Sequence, residues 1–192
     1  YRPVGRGCSF EINGRLHAEL SVTGSHNALN AMAAIAAAQR MGVDPTEAAA
    51  DLADFAGVPM RQEWVQAGSI SIINDAYNAN PSSLAAAGEV LSNTEASRRV
   101  LIAGDMLELG QAAEDFHREA GLRLGRSKVD LLIGVGALGR YIAMGADSSD
   151  VEALSFESVE DLSTEIVALL EPGDAVLVKG SRSMGMERLV GI

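Results

Sequence analysis

A single cysteine, Cys8, stands in 192 residues, which excludes an internal disulfide and with it the stapled secreted scaffolds. No run of about 18 apolar residues is present, so no membrane-spanning helix is expected. Cations are scarce too: 15 Lys and Arg against 26 Asp and Glu leave a net charge of -11, and the cations are scattered and form no basic stripe. A nucleic-acid partner is therefore not expected, and any nucleotide bound should be a small one. No segment repeats at a fixed period, none is of low complexity, and no secretory leader is recognisable. These absences leave a soluble protein of a reducing compartment as the expectation; a cytoplasmic monomer is expected of it, with no sequence feature that fixes the oligomeric state. The chain opens on Tyr1 and is read as part of a longer polypeptide.

What is present suffices for a sizeable core. At 20.0 kDa, roughly 70% of the unfolded surface can be buried without staples. Residues 8–22 alternate apolar and polar side chains around Asn13-Gly14, a strong hairpin signal. An Ala-rich helix is predicted from His26 to Met41, with Ser25 as its N-cap and Gly42 just past its end, and a second helix from Pro45 to Phe55. After Gly57-Val58-Pro59 the pattern turns to β at 62–66 and 69–74, which places a domain boundary near 57–68. From there helices (81–93, 112–126, 137–144, 158–170, 184–190) alternate with strands (99–103, 130–134, 151–155, 174–178). The runs Val100–Ala103, Leu131–Ile133 and Ala175–Val178 are continuously apolar, as in a parallel sheet covered on both faces. The fold class read from this order is α/β, a Rossmann-like, doubly wound, mostly parallel sheet.

The densest polar segment is Asp75-Ala76-Tyr77-Asn78-Ala79-Asn80-Pro81-Ser82-Ser83, directly after the apolar run Ile70–Ile73. Open α/β sheets bind ligands beyond the carboxyl ends of their strands, and Pro81 is suited to start a helix whose amides point back at that spot. An Asx-rich surface loop is the alternative. Gly104-Asp105-Met-Leu-Glu108-Leu-Gly110 and Lys179-Gly-Ser181-Arg182 follow other strands and are expected at the same edge, facing anionic and zwitterionic groups. For Asp105 and Lys179 an ion pair across neighbouring strands is the competing reading. Asn27 and Asn30 share one face of an otherwise apolar helix, where two carboxamides suit a purine edge or else capping and inter-element hydrogen bonds. His117, one turn after Glu114, is read as structural, and His17 as a surface residue. Gly134-Val-Gly136-Ala-Leu-Gly139 has the spacing of a dinucleotide fingerprint, but β elements precede it within the domain, whereas the fingerprint belongs to the first βα unit. A small-residue βα turn accounts for it equally well.

Taken together, Gly24–Ala31, Met60-Arg61-Gln62-Glu63, Asn74–Pro81, Gly104–Gly110 with His117, and Val178–Glu187 resemble the C-terminal part of the Mur ligase family, along most of the chain from about Gly24. The Asp-Ala-Tyr-Asn-Ala-Asn-Pro and Gly-Asp-Met-x-Glu-Leu-Gly segments are similar to those of the member that adds D-alanyl-D-alanine. The resemblance implies a three-domain enzyme of peptidoglycan precursor synthesis that activates UDP-N-acetylmuramoyl-tripeptide with ATP as an acyl phosphate, which the amine of D-alanyl-D-alanine attacks. It implies that residues 1–60 are the tail of the central ATPase α/β domain and 61–192 the C-terminal domain, with 57–68 as a hinge. It further implies Asn27 and Asn30 at the adenine, Arg61 at the ribose or phosphates, Asp75 at the ribose, and Tyr77, Asn78 and Asn80 bordering the nucleotide and the incoming dipeptide. Asn80, Ser82, Asp105, Lys179, Ser181 and Arg182 are then the substrate-binding candidates. The family's Gly-x-x-Gly-Lys-Thr/Ser loop is absent from these residues, and the Mg²⁺ ligands are expected upstream, so this stretch alone is expected to be inactive. A nicotinamide-binding oxidoreductase built on Gly134–Gly139, or a non-catalytic module of Mur-ligase fold, is the alternative.

Overall fold

The computed structural model describes residues 1–147, 149 and 151–191. The chain divides into two compact units, Tyr1–Val58 and Pro59–Ile192. In the first, β1 (Arg2–Val4), β2 (Gly7–Ile12) and β3 (Leu16–Leu20) form an antiparallel meander. The β2–β3 turn has Asn13 at φ 53° and Gly14 at φ 64°, the two left-handed positions that a tight hairpin turn requires. Helices α1 (Ser25–Arg40) and α2 (Pro45–Ala53) cover the sheet through Ala28, Ala31, Ile35, Ala48 and Ala49 against Cys8, Phe10, Ala18 and Leu20. Burial pushes the Cys8 thiol upward, and its Sγ–H donates to the Val22 carbonyl at 3.3 Å, so this thiol is an inert core group. One local expectation is corrected, and one strand stands where none was expected. Ser25 is the first residue of α1 and not its cap; Gly24, at φ 103°, holds the cap position with no side-chain hydrogen bond. The N-terminal strand β1 carried no sequence signal, because all three of its residues are exposed.

The second unit is a six-stranded sheet of order β4 (Glu63–Ala67), β5 (Ile70–Asp75), β9 (Asp174–Lys179), β6 (Arg98–Gly104), β7 (Leu131–Val135), β8 (Glu152–Phe156). Only the β4–β5 pairing is antiparallel. Period-two alternation sends Ile73, Leu101, Ala103, Leu132 and Leu177 to one face, where α3 (Pro81–Ser92), α4 (Ala113–Gly125) and α5 (Gly139–Ala146) pack. Ile72, Val100, Ile102, Ile133, Val176 and Val178 point to the other, covered by α6 (Val159–Leu169) and the C-terminal residues Met186 and Leu189. Both faces are thus buried, which is why these strands read as unbroken apolar runs. The chain steps outward from β5 through β6 and β7 to β8, then returns over the opposite face to insert β9 between β5 and β6. The carboxyl ends of β5, β9 and β6 consequently lie side by side, with Asp75 and Ala103 both in register with Lys179.

The helix expected over 184–190 is absent. Two 3₁₀ turns, Arg182–Met184 and Met186–Gly191, stand there, separated by Gly185 in the left-handed region at φ 65°, which interrupts any continuous α-helix. The start of the helix expected at 112 is likewise a 3₁₀ turn, Gly110–Ala112.

Candidate functional site

The site is built where β5, β9 and β6 end. Asp75 closes β5 and is 9% exposed; Lys179 closes β9 and is 3% exposed. The Lys179 ammonium donates to Asp75 Oδ2 at 2.6 Å and to the Asn78 carbonyl at 2.9 Å. Asp75 Oδ1 accepts the Gln62 amide at 3.2 Å. A carboxylate offers about four lone-pair positions, so with Gln62 and Lys179 attached Asp75 still has capacity for two hydroxyl donors.

The segment before β4 packs onto the same loop. Met60 and Gln62 adopt φ 58° and 56°, uncommon for residues with a Cβ, and they bracket Arg61. This backbone is held by Tyr77, whose amide donates to the Met60 carbonyl at 3.1 Å, and by Glu63, whose Oε2 accepts from the Met60 amide and the Asn74 side chain, each at 3.1 Å. The Arg61 guanidinium lies 4.2 Å from the centroid of the Tyr77 ring, which is 44% exposed. A cation resting on an aromatic face is oriented without losing its donors. Gln62 and Glu63 lie in the Met60–Glu63 segment that carries the family resemblance, but no role of their own is legible in the sequence; the two left-handed residues that aim Arg61 have no signature in their residue types.

Several expected ligand groups are engaged in hydrogen bonds within the chain. Asn80 caps α3, its Oδ1 accepting the Ser83 amide and the Ser82 hydroxyl, both at 2.8 Å, while Ser83 Oγ accepts the Asn80 amide at 3.1 Å. Asn80 and Ser82 are therefore engaged with the helix start, where orphan amides demand acceptors. Asn78 uses its Oδ1 on the Ala79 amide and its carbonyl on Lys179. Asp105 does not pair with Lys179. Its Oδ1 accepts the Leu138 and Gly139 amides at 2.9 and 2.7 Å, which makes it the cap of α5, supplied from a loop more than thirty residues away. Gly136, at φ 102°, makes room for it, since a Cβ there would stand 2.5 Å from Asp105 Oδ1. The small-residue loop Gly134–Gly139 thus already holds an anion, and a dinucleotide pyrophosphate would have to displace a carboxylate. The oxidoreductase alternative fails on that geometry.

Ser181 is 5% exposed and stitches two loops together, its Oγ accepting the Leu107 amide at 2.9 Å while its own amide donates to the Asp105 carbonyl at 3.0 Å. The Asp105 amide rests on Met184 Sδ, and the Met106 amide donates to His117 Nε2 at 2.8 Å. His117 is wholly buried, and its Nδ1 lies 2.6 Å from the Ala113 carbonyl, so its partners assign the proton to Nδ1 and give it the structural role read from the sequence. Arg182 reaches outward, 56% exposed, and pairs with Glu187 at 2.7 Å. Burial opposes ionisation of Glu187, but hydrogen bonds from Arg182 and its own backbone outweigh it and leave the carboxyl below its ordinary value. Asn27 and Asn30 both lie on α1 in the first unit; Asn27 Nδ2 donates back to the Thr23 carbonyl at 2.7 Å, and Asn30 is exposed. Among the described residues no group of three His, Cys, Asp or Glu is placed to hold a metal ion, and no helix is long and apolar enough to cross a membrane.

Comparison with known proteins agrees with this architecture. Residues 60–182 match the family model described as Mur ligase, glutamate ligase domain. The UDP-N-acetylmuramoyl-tripeptide--D-alanyl-D-alanine ligase of Bacillus subtilis is 39% identical over 175 residues, covering 89% of this chain and 38% of that protein. The ligase of the same name from Synechocystis is 32% identical, again over 89% of this chain and 38% of its own length. Among solved structures, MurF from Acinetobacter baumannii superposes with TM-score 0.87 at 28% identity, over 97% of this chain and 42% of its own. MurF from Thermotoga maritima, in complex with ADP, superposes with TM-score 0.79 at 26% identity, over 96% of this chain and 42% of its own. The chain spans about two-fifths of the length of these relatives. With its mostly parallel sheet, its loop cluster at the β5, β9 and β6 ends and the family match over 60–182, the chain belongs to the Mur ligase family.

Proposed function

We propose that this chain is the C-terminal portion of an ATP-dependent ligase that joins D-alanyl-D-alanine to UDP-N-acetylmuramoyl-tripeptide through an acyl phosphate. Residues 1–60 are the tail of its central ATP-binding domain and 61–192 its C-terminal domain. The observation that carries the reading is Asp75 at the carboxyl end of β5, anchored by Gln62 and Lys179 yet with lone pairs to spare, beside an Arg61 fixed on the Tyr77 ring. An acid able to take two hydroxyls next to an oriented guanidinium suits a ribose and its phosphates. Similarity to relatives named for this reaction supports the same reading.

In this reading Asp75 accepts the ribose hydroxyls and Arg61 steadies phosphate or ribose oxygens, while Tyr77 orients Arg61 and borders the nucleotide with the 76–80 loop. On the first unit, taken by itself, Asn27 and Asn30 of α1 are the candidates for an adenine edge. Arg182, exposed and forked, is the candidate for the dipeptide carboxylate, with Ser181 and Asp105 shaping the loop that presents it. Among the described residues no group of three His, Cys, Asp or Glu is placed to hold Mg²⁺, whose ligands the family resemblance puts upstream of this stretch. A cytoplasmic enzyme of peptidoglycan synthesis, serving cell shape and division, follows from the same proposal. The test is phosphate release by the full-length protein given ATP, Mg²⁺, UDP-N-acetylmuramoyl-tripeptide and D-alanyl-D-alanine, each omitted in turn. Release that requires all of them is the expected result. No release from the folded full-length protein refutes the activity and leaves a non-catalytic module of the family fold.

A further inference from the structure

We infer that Lys179 is a positioning residue for the nucleotide, acting through Asp75 and the Asn78 carbonyl, and that it does not contact the dipeptide. The inference rests on the reading of Asp75 as a nucleotide contact. Lys179 is 3% exposed at the end of a central strand, and its ammonium is closed in by Asp75 Oδ2 at 2.6 Å and the Asn78 carbonyl at 2.9 Å. An ammonium so enclosed cannot reach a carboxylate in solution without breaking both contacts. Its placement follows from topology. Lys179 lies on the same face of β9 as Leu177, and Asp75 on the same face of β5 as Ile73, so parallel register sets the two side chains together on the α3 side.

Two consequences follow for the loop that leaves β5. The Lys179 contact fixes the Asp75 carboxylate from Oδ2 while Gln62 holds Oδ1, so the plane of the carboxylate is set from two sides. The Asn78 carbonyl is pinned by the same ammonium, so one cation orders both the acid and the backbone between it and the α3 cap. Remove the ammonium and Asp75 keeps a single amide partner, with a buried negative charge whose easiest relief is to rotate out of the position from which it serves a ligand. Orienting groups of this kind, where measured as outer-shell partners of metal ligands, change affinity or activity by roughly 10- to 100-fold.

The experiment uses the full-length protein with Lys179→Met, Lys179→Arg, Asp75→Asn and the Lys179→Met/Asp75→Asn pair. It measures KM for ATP and for D-alanyl-D-alanine, and ADP affinity by calorimetry. Lys179→Met is expected to raise the ATP KM and weaken ADP by roughly tenfold or more, with the dipeptide KM unmoved. The double variant is expected to be little worse than the poorer single one, because both changes break one unit. Lys179→Arg, which keeps the charge, is expected to recover part of the loss, and it carries the same comparison should Lys179→Met fail to fold. A raised dipeptide KM with normal ATP and ADP parameters overturns the inference, as do losses that multiply in the double variant. If Asp75→Asn leaves ATP and ADP untouched, the nucleotide reading of this loop itself falls; if Asp75→Asn weakens them and neither lysine variant does, only the inference falls.

Discussion

Replacing Asp105 by alanine should uncover an empty anion hole at the start of α5. The carboxylate now accepts two backbone amides, Leu138 at 2.9 Å and Gly139 at 2.7 Å, at the positive end of an eight-residue helix. Loss of an N-cap side chain costs about 1 kcal/mol, a hydrogen bond to a charged group about 1.5–3 kcal/mol, and the helix-dipole attraction adds about 0.3–1 kcal/mol. These overlap, and Asp105 is only partly buried, so about 2–3 kcal/mol is the expected loss. For a domain of this size that lowers Tm by roughly 5–10 °C. Asp105→Asn keeps an acceptor at Oδ1 and should lose about half as much. The diagnostic arm is sulfate: an anion filling the vacated hole should stabilise Asp105→Ala more than the parent, read as Tm against sulfate with chloride at matched ionic strength as control. NADH should give no saturable binding to the parent protein, whose hole is filled. A loss below about 0.5 kcal/mol, or equal sulfate responses in the two proteins, would refute the capping argument.

Two further expectations concern packing and a helix cap. Gly121→Ala on α4 sets two effects against each other: alanine gains about 1 kcal/mol in helix propensity, but the added Cβ would run into the Ile142 backbone carbonyl of α5, and overpacking of this kind costs about 1–3 kcal/mol or more. The clash should win because backbone cannot rotate away, giving a net loss in urea unfolding with unchanged m; a neutral or stabilised variant would show that α4 and α5 part freely. At α2, the Asp44 carboxyl is held below its ordinary value of 3.8 by the Thr46 and Glu47 amides it caps. A pKa lowered in the folded state means a contribution fully present above the unfolded value and lost as pH falls through the folded one. The stability gap between the parent and Asp44→Ala should therefore be constant from neutral pH down to about 4 and shrink in stronger acid; a gap that widens on acidification would contradict this sign.

Local pattern carried the elements well because their causes are local. Asn13-Gly14 can take two left-handed positions in succession, Pro81 after Asn80 is a helix start with its cap attached, and Val100–Ala103 must be covered on both faces whatever lies next to it. The same reasoning stopped at features whose cause lies elsewhere in the chain. Nothing in 174–179 says that this last strand slots between β5 and β6, and nothing in the residue types of Met60 or Gln62 announces φ values near +57°. The helix read over 184–190 failed for a related reason: its apolar spacing is real and serves Met186 and Leu189 against the sheet, but Gly185 turns left-handed and leaves only 3₁₀ turns to carry it.

Asp75 and Asp105 show most sharply where residue type ceases to decide use. Each is an acid just past or at the carboxyl end of a parallel strand, and residue type alone makes each a candidate ligand group. The strand order separates them. Beyond β6 the neighbour is β7, whose following helix presents unsatisfied amides at Leu138 and Gly139, and Asp105 is drawn into that hole. Beside β5 the neighbour is β9, which ends in a buried cation, so Asp75 is held by one ammonium and one amide and keeps acceptor capacity toward the loop cluster. Exchanging the two environments would exchange the two roles. The chemistry of this edge is therefore a property of which strand lies next to which, and Lys179, delivered by the final crossover from 104 positions along the chain, is the residue through which that topology reaches the site.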